Sequence, residues 1–180
     1  MTTASIDSLR YPIGKFQSKN TYSADELKEY IQDISHLPAL LRKAIKDLGE
    51  AELETPYRPG GWTVRQTVNH VADSHINSYV RFHLALTEEK PVIKPYEEHL
   101  WAELVDGKHA PVEISCILLE ALHLRWVMLL ESLTPEQWQR TFVHPQSGEV
   151  TLSNAVGLYA WHGKHHVAHI TALRNRNFDR

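Results

Sequence analysis

Four imidazoles crowd one short stretch of this chain. In Trp161-His162-Gly163-Lys164-His165-His166-Val167-Ala168-His169, histidines recur one helical turn apart twice, as His162 with His166 and as His165 with His169. A neutral imidazole offers a nitrogen lone pair to a divalent ion, and two of them at i and i+4 of a helix can reach the same ion. Advancing about 100° per residue, His166 falls nearest the direction of Leu152, Tyr159 and Ile170, His162 sits beside it, and His165 points furthest away. The pair expected to face inward is therefore His162 and His166. Catalytic zinc sites typically combine three protein ligands with one open position, so a third donor must come from another segment, and His70 and His75 are the candidates. His75 lies in an apolar row, where a hydrogen-bonded core histidine is the simpler expectation. His70 lies in a polar row with Thr67, Ser74, Asn77 and Arg81, where hydroxyl and amide neighbours can support a ligand. His70 is the favoured donor, although helical phase alone leaves His75 open. A solvated His-rich face without a metal fits the same spacing.

Other reactive residues invite plainer readings. His36, His83, His99, His109, His123 and His144 are expected on the surface or in loops, and Cys116, in an apolar segment, as a buried small hydrophobe. Arg125 could meet an anionic group, but a structural ion pair is the simpler expectation.

The elements that must hold these histidines are helices. Residues 1–22 lack sustained periodicity and are expected as an extended arm lying on the rest. Ser23-Ala24-Asp25-Glu26 is a capping box, a hydroxyl and a carboxylate three residues apart that satisfy the free amides of a helix start. Leu27, Ile31 and Ile34 follow at helical spacing until Pro38, whose missing N–H predicts a kink or two consecutive helices ending near Leu48. After a Pro/Gly-rich connector, Thr63 with Gln66 opens a second long helix, with Val64, Val68, Val71, His75, Tyr79, Phe82 and Leu86 along its buried row. The polar row beside it must face either water or a polar cavity.

Residues 88–111 read as a long excursion between helices. Residues 111–133 read as a third helix with Ile114, Leu118, Ala121, Leu122 and Leu129 inward, Thr134-Pro135-Glu136 as a capped extra turn, and residues 151–176 as a last helix burying Leu152, Val156, Tyr159, Ile170 and Leu173. No period-2 run predicts a strand. The expectation is all-α: a four-helix bundle with an N-terminal arm and long inter-helix loops, as one domain over residues 1–180.

Composition bounds the partners. The chain has 180 residues, a globular 42% of hydrophobic ones, and a formal net charge of -3, which gives no electrostatic drive toward nucleic acid. A single cysteine among 180 residues excludes an intramolecular disulfide framework and suits a reducing compartment, so the expected location is cytoplasmic. No stretch approaches the roughly 20 apolar residues of a membrane helix.

Gly60-Gly61-Trp62-Thr63-Val64-Arg65-Gln66, Asn69-His70-Val71-Ala72-Asp73-Ser74-His75, Tyr159-Ala160-Trp161-His162 and His166 together resemble the DinB/YfiT-like family of metal-dependent hydrolases, most closely its YfiT branch. The likeness runs from Tyr11-Pro12-Ile13-Gly14 to the final helix. It implies a four-helix bundle binding one divalent metal ion per chain, zinc or nickel, through His70, His162 and His166. Many members carry glutamine three residues after the last ligand; His169 stands there in this chain, which puts a fourth imidazole near the ion. Ser74, Asn77 and Arg81 are further candidates to support the ligands or touch substrate. The resemblance implies hydrolysis of a small-molecule substrate, with two alternatives. One is an S-transferase using a low-molecular-weight thiol of the bacillithiol type; the other is a metal that only clamps helices. A homodimer is also expected on this ground.

Overall fold

The structure, a computed structural model, describes residues 6–178. Four long helices dominate it: α2 (Ala24–Ile45), α4 (Val64–Thr87), α7 (Val112–Glu131) and α9 (Leu152–Asn177). Helix α2 packs on α7 and α9, and α4 packs on the same two, which closes a four-helix bundle. The helix starts are the expected ones. Ser23 and Thr63 accept from the amides of Glu26 and Gln66, whose side chains return to the cap amides, so both capping boxes are complete. Short helices punctuate the connections: α1 (Ile6–Arg10), α3 (Glu50–Leu53), α5 (Glu98–Trp101), α6 (Val105–His109) and α8 (Pro135–Trp138).

Four expectations need correction. The N-terminal segment is not extended throughout, since α1 precedes the arm. The arm itself does dock: Trp161 Nε1 donates to Gly14 O at 3.2 Å and Tyr22 OH donates to Asn154 Oδ1 at 2.7 Å. Pro38 does not divide α2, which runs unbroken through it. Residues 141–151 form a hairpin, with β1 (Thr141–His144) antiparallel to β2 (Gly148–Thr151) in the register Phe142↔Val150. Four-residue strands are too short for alternation to be legible. Gly148, at φ 81°, adopts the left-handed backbone that ends the turn.

The third helix is also rotated from its expected face. Cys116, Leu119, His123, Trp126 and Leu130 point inward, whereas Ile114, Leu118 and Ala121 are exposed and Leu122 and Leu129 half-buried. The cause is compositional. Apolar residues surround α7 on nearly every side, so no stripe marks the inner face.

The long excursion is stapled to α4 by buried amides. Gln66 Nε2 donates to Ala102 O at 2.9 Å, and Asn69 Nδ2 donates to Gly107 O at 3.0 Å. Arg65, also buried, ties α4 to the connector before it through Glu50 and Glu54.

The core has two apolar parts. One gathers Ile34, Phe82, Trp126, Leu130, Leu152 and Tyr159; the other gathers Leu37, Leu41, Val68, Leu119, Ile170 and Leu173. On three of the four long helices the chain crosses from one part to the other through buried histidine: His75 on α4, His123 on α7, His166 on α9. A polar layer of imidazoles thus runs across the bundle.

Candidate metal centre

His70 projects from α4, and His162 and His166 project from α9, so the inter-helix packing decides whether they meet. They do: one ring nitrogen from each lies within 4.8 Å of the others. His70 Nε2 and His162 Nε2 are 3.3 Å apart. Two nitrogens on one tetrahedral zinc, each about 2.0–2.1 Å from it, stand about 3.3–3.4 Å apart, so this pair already has the spacing of two ligands on one ion. His166 Nδ1 is buried without a hydrogen-bond partner, but so are His165 Nδ1 and His169 Nδ1 outside the cluster, so the fit is carried by the spacing and by the all-imidazole donor set. These residues fit a divalent metal.

Electrostatics point the same way. Burial lowers His70 to about 4, and pushes His162 and His166 well below the ordinary imidazole value, with the neighbouring imidazoles adding to the effect. All three rings are therefore neutral at pH 7, with lone pairs available. Trp62 packs on His70 with ring centroids 4.5 Å apart, walling one side of the cluster.

Two cavities open on the cluster. One, about 330 Å³, is bounded by Arg10, Tyr57, Arg58, Trp62 and all three clustered histidines. The other, about 350 Å³, meets the cluster at His162 and is bounded also by Ser74, Arg81, Tyr96, His144 and Tyr159. Arg81 and Tyr96 also border a larger trough of about 590 Å³ with Val80, Leu84, Trp101 and Leu104 on its walls. The polar row of α4 thus lines a cavity: Ser74 is buried, and Arg81, half-buried, donates from Nη1 to Tyr159 OH at 3.3 Å. Asn77 reaches that trough but spends its amide on Asp73 O of its own helix.

His169 lines the same cavity as the cluster, its ring centroid 5.4 Å from that of His166, but is not one of the three converging rings. Its Nε2 donates to Arg10 O at 3.1 Å, and its ring stacks on Tyr57 with centroids 3.9 Å apart. The fourth imidazole is occupied in holding the N-terminal segment. His165 is likewise outside, stacked on Trp161 at 4.4 Å.

His75 is the core histidine that its apolar row suggested. His123, expected at the surface, is 2% exposed, because α7 is rotated from its expected face. A continuous path links them to the cluster: Ile34 O to His123 Nδ1 at 2.6 Å, His123 Nε2 to His75 Nδ1 at 3.0 Å, and His75 Nε2 to His162 Nδ1 at 3.3 Å. Nothing in the sequence signalled His123, since spacing within one helix carries no information about partners on another.

A family model of the DinB superfamily matches residues 33–170. The chain belongs to the DinB superfamily. Two relatives, each called a "Putative metal-dependent hydrolase", come from Bacillus cereus and from Bacillus thuringiensis subsp. konkukian; each is 58% identical over 171 residues, covering 95% of this chain and 98% of the relative. The solved structure of YfiT from Bacillus subtilis, described as a probable metal-dependent hydrolase with an unusual four-helix bundle topology, superposes with a TM-score of 0.92. It is 49% identical and covers 94% of this chain and 97% of that one. A second solved four-helix bundle protein shares the fold alone, at 20% identity and a TM-score of 0.56 over 81% of this chain and 98% of its own. The four-helix architecture of this DinB-superfamily chain is thus that of both solved structures.

Proposed function

We propose that this protein is a cytoplasmic, metal-dependent hydrolase of small molecules, with one zinc or nickel ion held by His70, His162 and His166. The observation that carries the reading is the meeting of three neutral imidazoles from two helices beside open cavities. A divalent ion on histidines lowers the pKa of a water to about 7 and so supplies a nucleophile at neutral pH. The protein's own part is to hold the ligands neutral, to offer Arg81, Ser74 and Tyr159 to polar atoms of the substrate, and to leave the apolar trough for its carbon skeleton. The names of the relatives support the same activity.

The test is metal content by mass spectrometry on tag-free protein, followed by turnover of an ester, amide and lactam panel. About one ion per chain and a hydrolysed substrate, both lost in His162→Ala, are expected. Metal-loaded wild type without turnover, indistinguishable from His162→Ala across the panel, removes the reading.

One observation favours S-transfer from a low-molecular-weight thiol as the second reading. Arg10 and Arg58 line the cavity that contains all three histidines, and two guanidinium groups suit the carboxylates such thiols carry. Conjugation of monochlorobimane that requires both added thiol and His70 would favour this chemistry; absence of thiol dependence would count against it. For assembly we propose a homodimer, supported by the exposed apolar row Ile117, Leu124 and Met128 of α7.

A further inference from the structure

Pro38 has no N–H, so the carbonyl of Ile34, four residues earlier in α2, lacks the helical donor it would otherwise receive. That carbonyl is instead bonded by His123 Nδ1 at 2.6 Å. A carbonyl oxygen can only accept, so the proton is on His123 Nδ1. The rings of His123 and His75 are 2% and 0% exposed, and their hydrogen-bond partners are a carbonyl and other imidazoles, none of which neutralises a cation. Each ring is therefore neutral and carries one proton. The rest follows by counting. With its proton on Nδ1, His123 presents a lone pair at Nε2, so His75 must donate from Nδ1 across the 3.0 Å contact. His75 then presents a lone pair at Nε2, so His162 must donate from Nδ1 across the 3.3 Å contact. His162 is left with its lone pair on Nε2, the atom 3.3 Å from His70 Nε2.

We propose that Ile34 O, His123 and His75 are a tautomer-setting relay that fixes His162 with its Nδ1 protonated and its Nε2 lone pair facing the metal position. His75 and His123 are positioning residues, and Pro38 supplies the relay's fixed end by freeing one backbone carbonyl. A direct carboxylate or carbonyl partner does the same for many histidine ligands; here the polarity is carried from α2 through α7 and α4 to α9. The inference rests on the metal reading for the word ligand but not for the tautomer, which exists in the metal-free chain.

The experiment is a long-range nitrogen–carbon-proton NMR spectrum of the histidine rings in chelator-treated full-length protein, paired with a zinc competition titration. The spectrum distinguishes protonated from lone-pair ring nitrogens. His162, His75 and His123 are expected to be protonated on Nδ1 in the wild type. His123→Gln, whose amide can donate to Ile34 O and accept from His75, should preserve that pattern and keep zinc affinity within a few-fold. His123→Leu should mix the His162 tautomers and weaken zinc binding by about 10-fold or more, the loss typical of removing a ligand's hydrogen-bond support. Wild-type His162 protonated on Nε2 overturns the relay, as does an unchanged His162 spectrum and affinity in His123→Leu. Should that variant not fold, the wild-type spectrum and His123→Gln decide. A fixed tautomer in protein that binds no ion would sink the metal reading and leave the relay standing.

Discussion

At the scale of the residue, the division of labour among the histidines can be tested directly. His70 is one of three imidazoles sharing a point, whereas His169 has its Nε2 committed to Arg10 O. His70→Ala is expected to lose the bound ion. His169→Ala is expected to keep it and to lose about 1 kcal/mol or more of stability, because a docking hydrogen bond and a stacked ring disappear. Elemental analysis of the two variants checks this, and loss of metal from His169→Ala would show that this imidazole does reach the ion. The sequence made most of this cluster legible: helical phase picks His162 and His166, and a polar row favours His70. It could not show His123, whose role depends on a proline-freed carbonyl on another helix.

At the scale of the element, α2 and α9 approach so closely that Gly163 leaves no room for a side chain. A Cβ there would lie 2.5 Å from Leu37 Cδ2 and 3.1 Å from its Cγ, and Leu37 is buried. Alanine ordinarily stabilises a helix interior by about 1 kcal/mol over glycine. Here overpacking should outweigh that gain, since forcing extra atoms into a packed core costs about 1–3 kcal/mol. Gly163→Ala is expected to lower the urea midpoint, and Leu37→Ala combined with it should recover part of the loss relative to the sum of the single changes. A raised midpoint in Gly163→Ala would mean that the helices separate freely. This glycine lies between His162 and His166, so the close approach bears on the depth of both proposed ligands.

At the scale of the whole molecule, a layer of neutral imidazoles inside the bundle makes stability depend on acid. His123, lowered to about 4 by burial, and His75, which burial also pushes well below the ordinary imidazole value, stay neutral in the folded chain where the unfolded chain takes up protons near 6.5. The unfolded state then binds more protons, so stability falls as pH drops from about 6.5 toward 4 and is fully present above that window. For His123 alone, a fall from 6.5 to about 4 corresponds to roughly 3 kcal/mol. Urea unfolding of metal-free protein at pH 7 and pH 5 should show this loss, and His123→Gln should reduce it; a pH-independent midpoint would mean the rings are hydrated. The proposed dimer also belongs to this scale. Leu124 and Met128 are 72% and 71% exposed on α7, and glutamate at both is expected to yield monomers by light scattering. A wild type that is already monomeric would end the proposal.

The sequence by itself determined the elements with complete local signals. Capping boxes at Ser23 and Thr63 set two helix starts, apolar periodicity set the inner faces of α4 and α9, and helical phase chose His162 and His166 from two pairs of equal spacing. These are properties of one turn of chain. Tertiary structure decided what no single segment contains. The face of α7 was settled by packing because its apolar residues surround it. Pro38 stayed inside an unbroken helix, where the carbonyl it frees accepts from His123 on another helix. The hairpin exists through pairing across a turn rather than through alternation within four residues. The convergence of His70 with His162 and His166 and the contact of His162 with His75 are likewise meetings of separate helices, where close packing selects one arrangement from several that spacing allows.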